Sequence, residues 1–524
     1  MLFRSNIGAA TLEDIAVSNP ATQDWLGLKA GARVLAQNSD GGVTWKLTGV
    51  YNLNAPAELY YTLYDRSSGS DVIVSGHNDQ RLSNYSASAG AWSGRFTASA
   101  AALSSGGPFR VEVREKNMRT ATRLLGGTAA AWGPRQRKGH FFLNNGQSLS
   151  VGASRQNVTT SPTYTAPANS YWINGEPTDV NVLGESYTRR GYPIGNDTTA
   201  AAFAQAFNSV SGLPVALASG GRAAQPIANR TVGSATHNAM LEALERGGGL
   251  CDMIRHTDGQ SDLGDDLSAY IAELQAIYDD VETRMGSPAR VLINPVAASW
   301  YGTNFHDRRW QLMRRTQWLM TQNFPTRYFY GAHTLDLTHF DTLHLPNNGY
   351  GEMARREAHA ALKALGLQTN DRNGPSLASV SKISATEVRC VYNLNGNDSL
   401  SLLNTGYAGD RNGGMIFSTA PTLTTTTIAT KIAATGAAVD ASPSGGQQGI
   451  NFTFPGGTFP GSVYVWAAYG MNPFNPADNG TNTDPVNLDM SGKASMVAGI
   501  KSGEPNVALR PYFTLDGTDY MVAA

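Results

Sequence analysis

Three residue types needed for acyl transfer occur in two short polar stretches of this chain. Ser148 lies in Asn145-Gly146-Gln147-Ser148-Leu149-Ser150, a turn that follows the apolar run Phe141-Phe142-Leu143. A strand that ends in a Gly-flanked serine presents a hydroxyl at the carboxyl edge of a sheet, where open α/β sheets keep their reactive groups. Far downstream, Asp341-Thr342-Leu343-His344 supplies a base and a carboxylate. A serine hydroxyl is a poor nucleophile at neutral pH until a base takes its proton. His344 is the candidate base, and Asp341 is the group that would hold its other ring nitrogen. The spacing suits a loop leading into a helix at Gly349-Tyr350, although Asp and His are also ordinary residues of such loops.

Ester hydrolysis also needs donors for the oxyanion of the tetrahedral intermediate, ideally backbone amides. Ser219-Gly220-Gly221-Arg222 follows the buried-type run Pro214-Val215-Ala216-Leu217-Ala218, so glycine amides would reach the same sheet edge as Ser148. Asp258-Gly259-Gln260-Ser261-Asp262 follows a further expected strand over 251–256 and lands on the same side. Candidate oxyanion donors are thus the backbone amides of Ser148, Gly220 and Gly221. Tyr187, Arg189 and Arg222, with Gln147, are candidates for contact with a sugar, since aromatic faces and guanidinium groups suit carbohydrate rings and carboxylates.

The elements that must position these residues are predicted from periodicity. Between 137 and 368 the pattern alternates strand and helix. Helices are expected over 200–207, 267–285, 310–320 and 350–365, and a strand over 291–294 stops at Pro295. Such alternation implies a parallel sheet covered by helices on both faces. Residues 1–136 read as β-rich, with alternating runs at 43–50, 59–64 and 109–114. After the Asn- and Gly-rich linker at 370–375 the chain returns to β-structure over 369–524, with strands at 388–392 and 463–469. Both flanking regions are expected to be β-sandwich-like. Trp45, Trp92 and Trp466 could hold a glycan there, although a tryptophan in a sandwich is more often core.

Composition narrows the class. The chain has 524 residues, 40 basic and 41 acidic, so the near-zero net charge gives no case for nucleic acid. No apolar run approaches the ~20 residues of a membrane helix. The first residues lack the apolar core of a secretory signal. Cys251 and Cys390 fall in different expected domains and predict free thiols rather than a disulfide. No His, Cys and carboxylate set has metal-ligand spacing, and no cofactor is implied.

Taken together, the four strand-end blocks resemble the SGNH (GDSL-type) hydrolase superfamily. The similarity is closest to the sialate O-acetylesterase, carbohydrate esterase family six-like branch, whose nucleophile stands in Gly-Gln-Ser. The resemblance covers roughly 138–366 and rests on Gly146-Gln147-Ser148, Gly220-Gly221, Asp258-Gly259-Gln260-Ser261-Asp262 and Asp341-x-x-His344 before Gly349-Tyr350. It implies a three-layer α/β/α esterase domain, Ser148 as nucleophile, and a carbohydrate O-acetyl ester as substrate. The third block departs from the family, which has an amide side chain where this chain has Asp258. Either Asp258 is protonated, or Gln260 or His256 takes the role, or that arm is missing. The flanking β-regions resemble phage tail-fibre or tailspike deacetylases, which implies a host-surface polysaccharide as partner, a virion or extracellular setting and a possible trimer. A secreted bacterial polysaccharide esterase and a non-catalytic glycan-binding tail protein are the alternatives.

Overall fold

A computed structural model of the chain describes residues 26–29, 34–38, 40–51, 58–88, 91–115, 131–132, 137–151, 164–165, 167, 170–174, 192–193, 199–264, 266–299, 307–337, 339, 343–403, 414–423, 431–459, 461–470 and 496–524. Its centre is a sheet built from β1 (Arg137–Gly146), β2 (Tyr171–Asn174), β3 (Tyr192–Pro193), β4 (Val215–Ser219), β5 (Met253–Thr257), β6 (Val291–Asn294) and β7 (Tyr328–Tyr330). The order is β3-β2-β4-β1-β5-β6-β7, parallel except for the edge pair β3–β2. Five helices cover it: α1 (Thr199–Ser211), α2 (Ala235–Arg246), α3 (Ser268–Met285), α4 (Asp307–Asn323) and α5 (Asn347–Ala364).

The strands are short apolar runs because both of their faces are buried. Phe141, Leu143, Ala216, Ala218, Ile254 and Ile293 pack toward α2, α3 and α4, whose Met240, Leu244, Leu274, Ile277 and Trp310 share that core. The alternate residues Phe142, Val215, Leu217, Met253 and Leu292 pack toward α1 and α5 through Phe203, Phe207, Ala358 and Leu362. The expected alternation of strand and helix is therefore a three-layer α/β/α arrangement. The strand at 34–36 joins this sheet as well, running parallel to the start of β1, so the N-terminal region contributes to the central layer.

The N-terminal region forms two antiparallel sheets that share one core. Trp45 stacks on Phe96 with ring centroids 4.9 Å apart, and Phe96 stacks on Tyr61 at 3.7 Å. The C-terminal region consists of three antiparallel sheets around a second apolar core that includes Phe417, Phe452 and Phe454. Trp45, Trp92 and Trp466 are all buried, so none of the three offers a face to a glycan. Cys251 and Cys390 are free thiols whose pKa values burial pushes up. Among the described residues no helix is long and apolar enough to cross a membrane.

The C-terminal region is clamped to the α/β unit by buried and half-buried charge. Arg356 on α5 holds Asp336 through two hydrogen bonds of 2.7 and 2.9 Å, and the Asp336 carboxylate also accepts from the Ala508 amide at 3.0 Å. Arg355 pairs with Glu504 at 2.7 Å, and Arg510 pairs with Asp371 at 3.1 Å. Arg314 on α4 donates to the Gly470 carbonyl across the same junction. These bonds fix the segment that leaves β7, which leads to His344.

Candidate active site

Sheet register assembles the site. Asn144 of β1 lies beside Ser219 of β4, and Gly146 of β1 lies beside Thr257 of β5, so three strands end at one level. The chain visits β4 on one side of β1 and then crosses to β5 on the other. The loops leaving those two strands therefore diverge around the end of β1, which is the switch point where α/β sheets open a crevice. Ser148 sits there, on a single 3-10 turn over Ser148–Val151.

The turn is built by specific bonds. Gly146 has φ of +135°, and a Cβ at that position would fall 2.1 Å from the Thr257 carbonyl oxygen, so only glycine fits. Gly146 N–H donates to Asn145 Oδ1 at 2.8 Å, and Gln147 N–H donates to the Thr257 carbonyl at 3.0 Å. Ser150 Oγ then closes the turn on the Gln147 carbonyl at 2.7 Å. Ser148 is buried, and its Oγ makes no hydrogen bond among the described residues. The neighbouring Leu149 packs with Ala332, Leu337, Leu345 and Tyr350 in one small apolar cluster. Leu345 follows His344 directly, so the loop after β7 is seated on the Ser148 turn. His344 is half-buried, while Asp341 lies outside the described residues, as do Tyr187 and Arg189.

The glycine pair after β4 divides its work. Gly220 N–H donates to the Asn144 carbonyl at 2.8 Å and Arg222 N–H donates to the Gly146 carbonyl at 2.9 Å, which extends the β4–β1 ladder. The Gly220 amide is thereby occupied, a correction to its place among the oxyanion donors. Gly221, between them, has an amide with no partner among the described residues. Gly220 has a different constraint, since a Cβ there would lie 2.5 Å from Met240 of α2. Arg222 is half-buried beside Gly221.

Gln147 is committed internally. Its Nε2 donates to the Gln225 carbonyl at 2.9 Å and to Asp262 Oδ2 at 3.1 Å, and its Oε1 accepts from the Ser261 amide at 3.3 Å. Asp262 Oδ1 accepts from the Ile227 amide at 2.9 Å. One glutamine and one aspartate thus tie the Ser148 turn to the loops after β4 and β5. Burial raises the Asp262 pKa against these hydrogen bonds and the nearby Arg230 charge.

Asp258 has a partner that sequence reasoning did not find. It is fully buried, forms an ion pair with buried Arg230, and accepts from the Gly259 amide at 2.6 Å. Arg230 also donates to Asn145 Oδ1 at 3.4 Å, and Asn145 Nδ2 donates to Tyr278 at 3.0 Å. His256 is equally deep, bonded to Tyr278 at 2.8 Å, and burial holds its pKa well below the usual value. Asp258 and His256 therefore belong to a buried polar chain behind the Ser148 turn. Gln260, in contrast, has both amide atoms buried with no hydrogen-bond partner among the described residues. Its neighbour Ser261 donates to Gln147, the residue before Ser148. No signal in the sequence marked Arg230, because a lone arginine in a polar loop carries no spacing.

The loop bearing His344 contains two perturbed groups. Burial pushes the His333 pKa down to about 3, with Arg356 and Arg510 adding to the shift and Asp336 opposing it. Burial opposes ionisation of Asp336, yet Arg356 outweighs it and holds that pKa at about 2. Both folded values are depressed. The stability from neutral His333 is full above pH 6.5 and is lost as pH falls toward 3, and that from ionised Asp336 is full above pH 3.8 and is lost toward pH 2. We expect the thermal midpoint to fall steadily between pH 6.5 and 3, and His333→Phe to flatten that slope. An unchanged slope in the variant would remove His333 as the cause.

The fold and the strand-end serine define a class: an α/β/α unit with a polar sheet edge, carried together with antiparallel β-regions. No family model matches the chain, and no curated protein is similar to it in sequence. Its backbone is similar to that of a carbohydrate acetylesterase from Xanthomonas citri, with a TM-score of 0.55 and 15% identity, covering 85% of this chain and 93% of that one. The coverage extends well beyond the central sheet, so flanking β-structure is part of the likeness, which is one of fold. A protein from Arabidopsis thaliana covers 43% of this chain and 98% of its own, at 16% identity and a TM-score of 0.33.

Proposed function

We propose that the chain is a serine-dependent carbohydrate O-acetylesterase. The observation that carries the reading is Ser148 with an unengaged Oγ at the end of the central strand, where the His344 loop packs onto its neighbour Leu149. Ser148 Oγ attacks the ester carbonyl as His344 takes its proton, and His344 then protonates the departing sugar oxygen. The amides of Ser148 and Gly221, with the side-chain amide of Gln260, hold the oxyanion. Water attacks the acetyl-enzyme with His344 as base and releases acetate. Asp341 orients His344 in this scheme. The fold shared with a carbohydrate acetylesterase supports the substrate class. A polysaccharide outside the cell, met by a phage tail structure, is the setting implied by the family resemblance alone.

The rival reading is a glycan-binding protein without turnover. Its main support was a carboxylate facing the oxyanion, and the Arg230 pair turns that carboxylate inward. The deciding experiment combines acetate release from a panel of O-acetylated polysaccharides and an aryl acetate with fluorophosphonate labelling. Release of acetate and a label mapped to Ser148 are expected. Absence of turnover on every acetate, together with label elsewhere or nowhere, would leave the binding reading.

A further inference from the structure

We propose that the C-terminal β-region carries a separate binding groove for a neutral polysaccharide, formed between two of its edge strands. The strands are β8 (Ser376–Ser384) and β9 (Met521–Ala523), which belong to different sheets, and the groove of about 500 Å³ lies between them and the loop at 512–520. That volume is within the range of small-ligand sites. Its walls combine Tyr512 and Tyr520 with Ser379, Thr514, Asp516 and Thr518.

Aromatic side chains beside hydroxyls and a carboxylate match the chemistry of a sugar, which presents an apolar ring face and equatorial hydroxyls. The site is also stiff before anything binds. Tyr520 is braced by Trp466 and Tyr464, with ring centroids 5.3 and 5.4 Å away. Asp516 Oδ1 accepts from the Thr518 amide at 2.9 Å and the Thr518 hydroxyl at 3.0 Å, while Thr514 and Thr518 are bonded at 2.6 Å. Gly517, with φ of +85°, closes this tight turn. These bonds hold the carboxylate ionised and fixed, and Asp516 Oδ2 stays free of hydrogen bonds among the described residues. Order already present in the free protein lowers the entropy cost of binding.

Charge selects among glycans. The groove is lined by one carboxylate and by no cation among its described residues, so a uronic or sialic acid polymer is repelled. An extended peptide adding to an edge strand is the other occupant of a sheet edge. Here a register shift between Leu377 and Ser379 interrupts the β8 ladder, and β9 has only 3 residues, which blunts strand addition.

The test is calorimetric titration of the full chain with cellohexaose, xylohexaose, mannohexaose, an oligogalacturonate and a peptide copying residues 376–384. These probes carry no ester, so the result is independent of esterase activity. At least one neutral hexaose should bind with Kd in the micromolar to millimolar range, roughly −4 to −8 kcal/mol, and the galacturonate should bind at least ~10-fold more weakly. Ser379→Trp fills the groove from an exposed strand position, and Tyr512→Ala removes a wall. Each should weaken binding at least ~10-fold while aryl acetate hydrolysis is unchanged. No binding of any neutral hexaose, tighter binding of the galacturonate or the peptide, or undiminished binding by Ser379→Trp would each overturn the proposal.

Discussion

Ser148→Ala should lower acetate release from an aryl acetate by at least ~10³-fold with little change in thermal midpoint. The size follows from chemistry. Removing the oxygen removes the acyl-enzyme route altogether, and what remains is binding and oxyanion stabilisation acting on water. The small stability effect follows from structure, since the lost hydroxyl makes no hydrogen bond among the described residues. Gln260→Ala should be milder, costing ~10²-fold or more in kcat, as is usual when one oxyanion donor is deleted. Steady-state kinetics on both variants distinguish these roles. If Ser148→Ala retained wild-type turnover, the nucleophile would lie elsewhere and the proposed mechanism would fail.

Arg230→Met is expected to be the most destabilising of the single changes considered. It leaves the Asp258 carboxylate buried and unpaired, a defect that typically costs ~3–5 kcal/mol. For a domain of this size that lowers the thermal midpoint by roughly 6–20 °C. Turnover should fall as well, because Arg230 bonds Asn145 Oδ1, the atom that accepts from Gly146 N–H at the start of the nucleophile turn. The double variant Arg230→Met with Asp258→Asn removes both charges and keeps an acceptor for the Gly259 amide. It should recover most of the lost stability, since an uncompensated charge is far costlier to bury than a neutral amide. Thermal unfolding of the four proteins of this cycle measures the coupling. Simple additivity would show that the pair does not act as a unit.

The two charges have different standing in function. Asp258 has the position of an oxyanion donor in the resembled family, yet here its carboxylate is drawn inward to Arg230, and in the proposed mechanism that role is given to Gln260. Gln260 carries the unsatisfied amide that a donor needs. The same loop therefore supports both structure and chemistry, with Gln147 and Asp262 locking it to the serine turn. The C-terminal region enters this balance through Asp336, which Arg356 and the Ala508 amide hold beside the segment that leads to His344. Removing that region would strip partners from a buried carboxylate, so it cannot be treated as an appendage.

Local pattern determined a great deal of this protein. The apolar run before Gly146, the alternation at 43–50 and 109–114, and the helix at 267–285 each bury one surface or two, and burial of that kind is written in residue order. The sequence also placed Ser148, the Gly220-Gly221 pair and the 258–262 block after strands, which suffices to put them at one sheet edge. Tertiary structure decided what is set by contact across long separations. Register made Gly220 a ladder donor and left the Gly221 amide without a partner among the described residues. Closeness of loops from different strands paired Asp258 with Arg230 and enclosed Gln147, and sheet packing within each flanking region buried Trp45, Trp92 and Trp466, while the C-terminal region kept a groove at Tyr512 and Tyr520. Hydrogen bonds and ion pairs act only within a few ångströms, so a residue's type announces what it can do, and the fold alone chooses which neighbour it does it with.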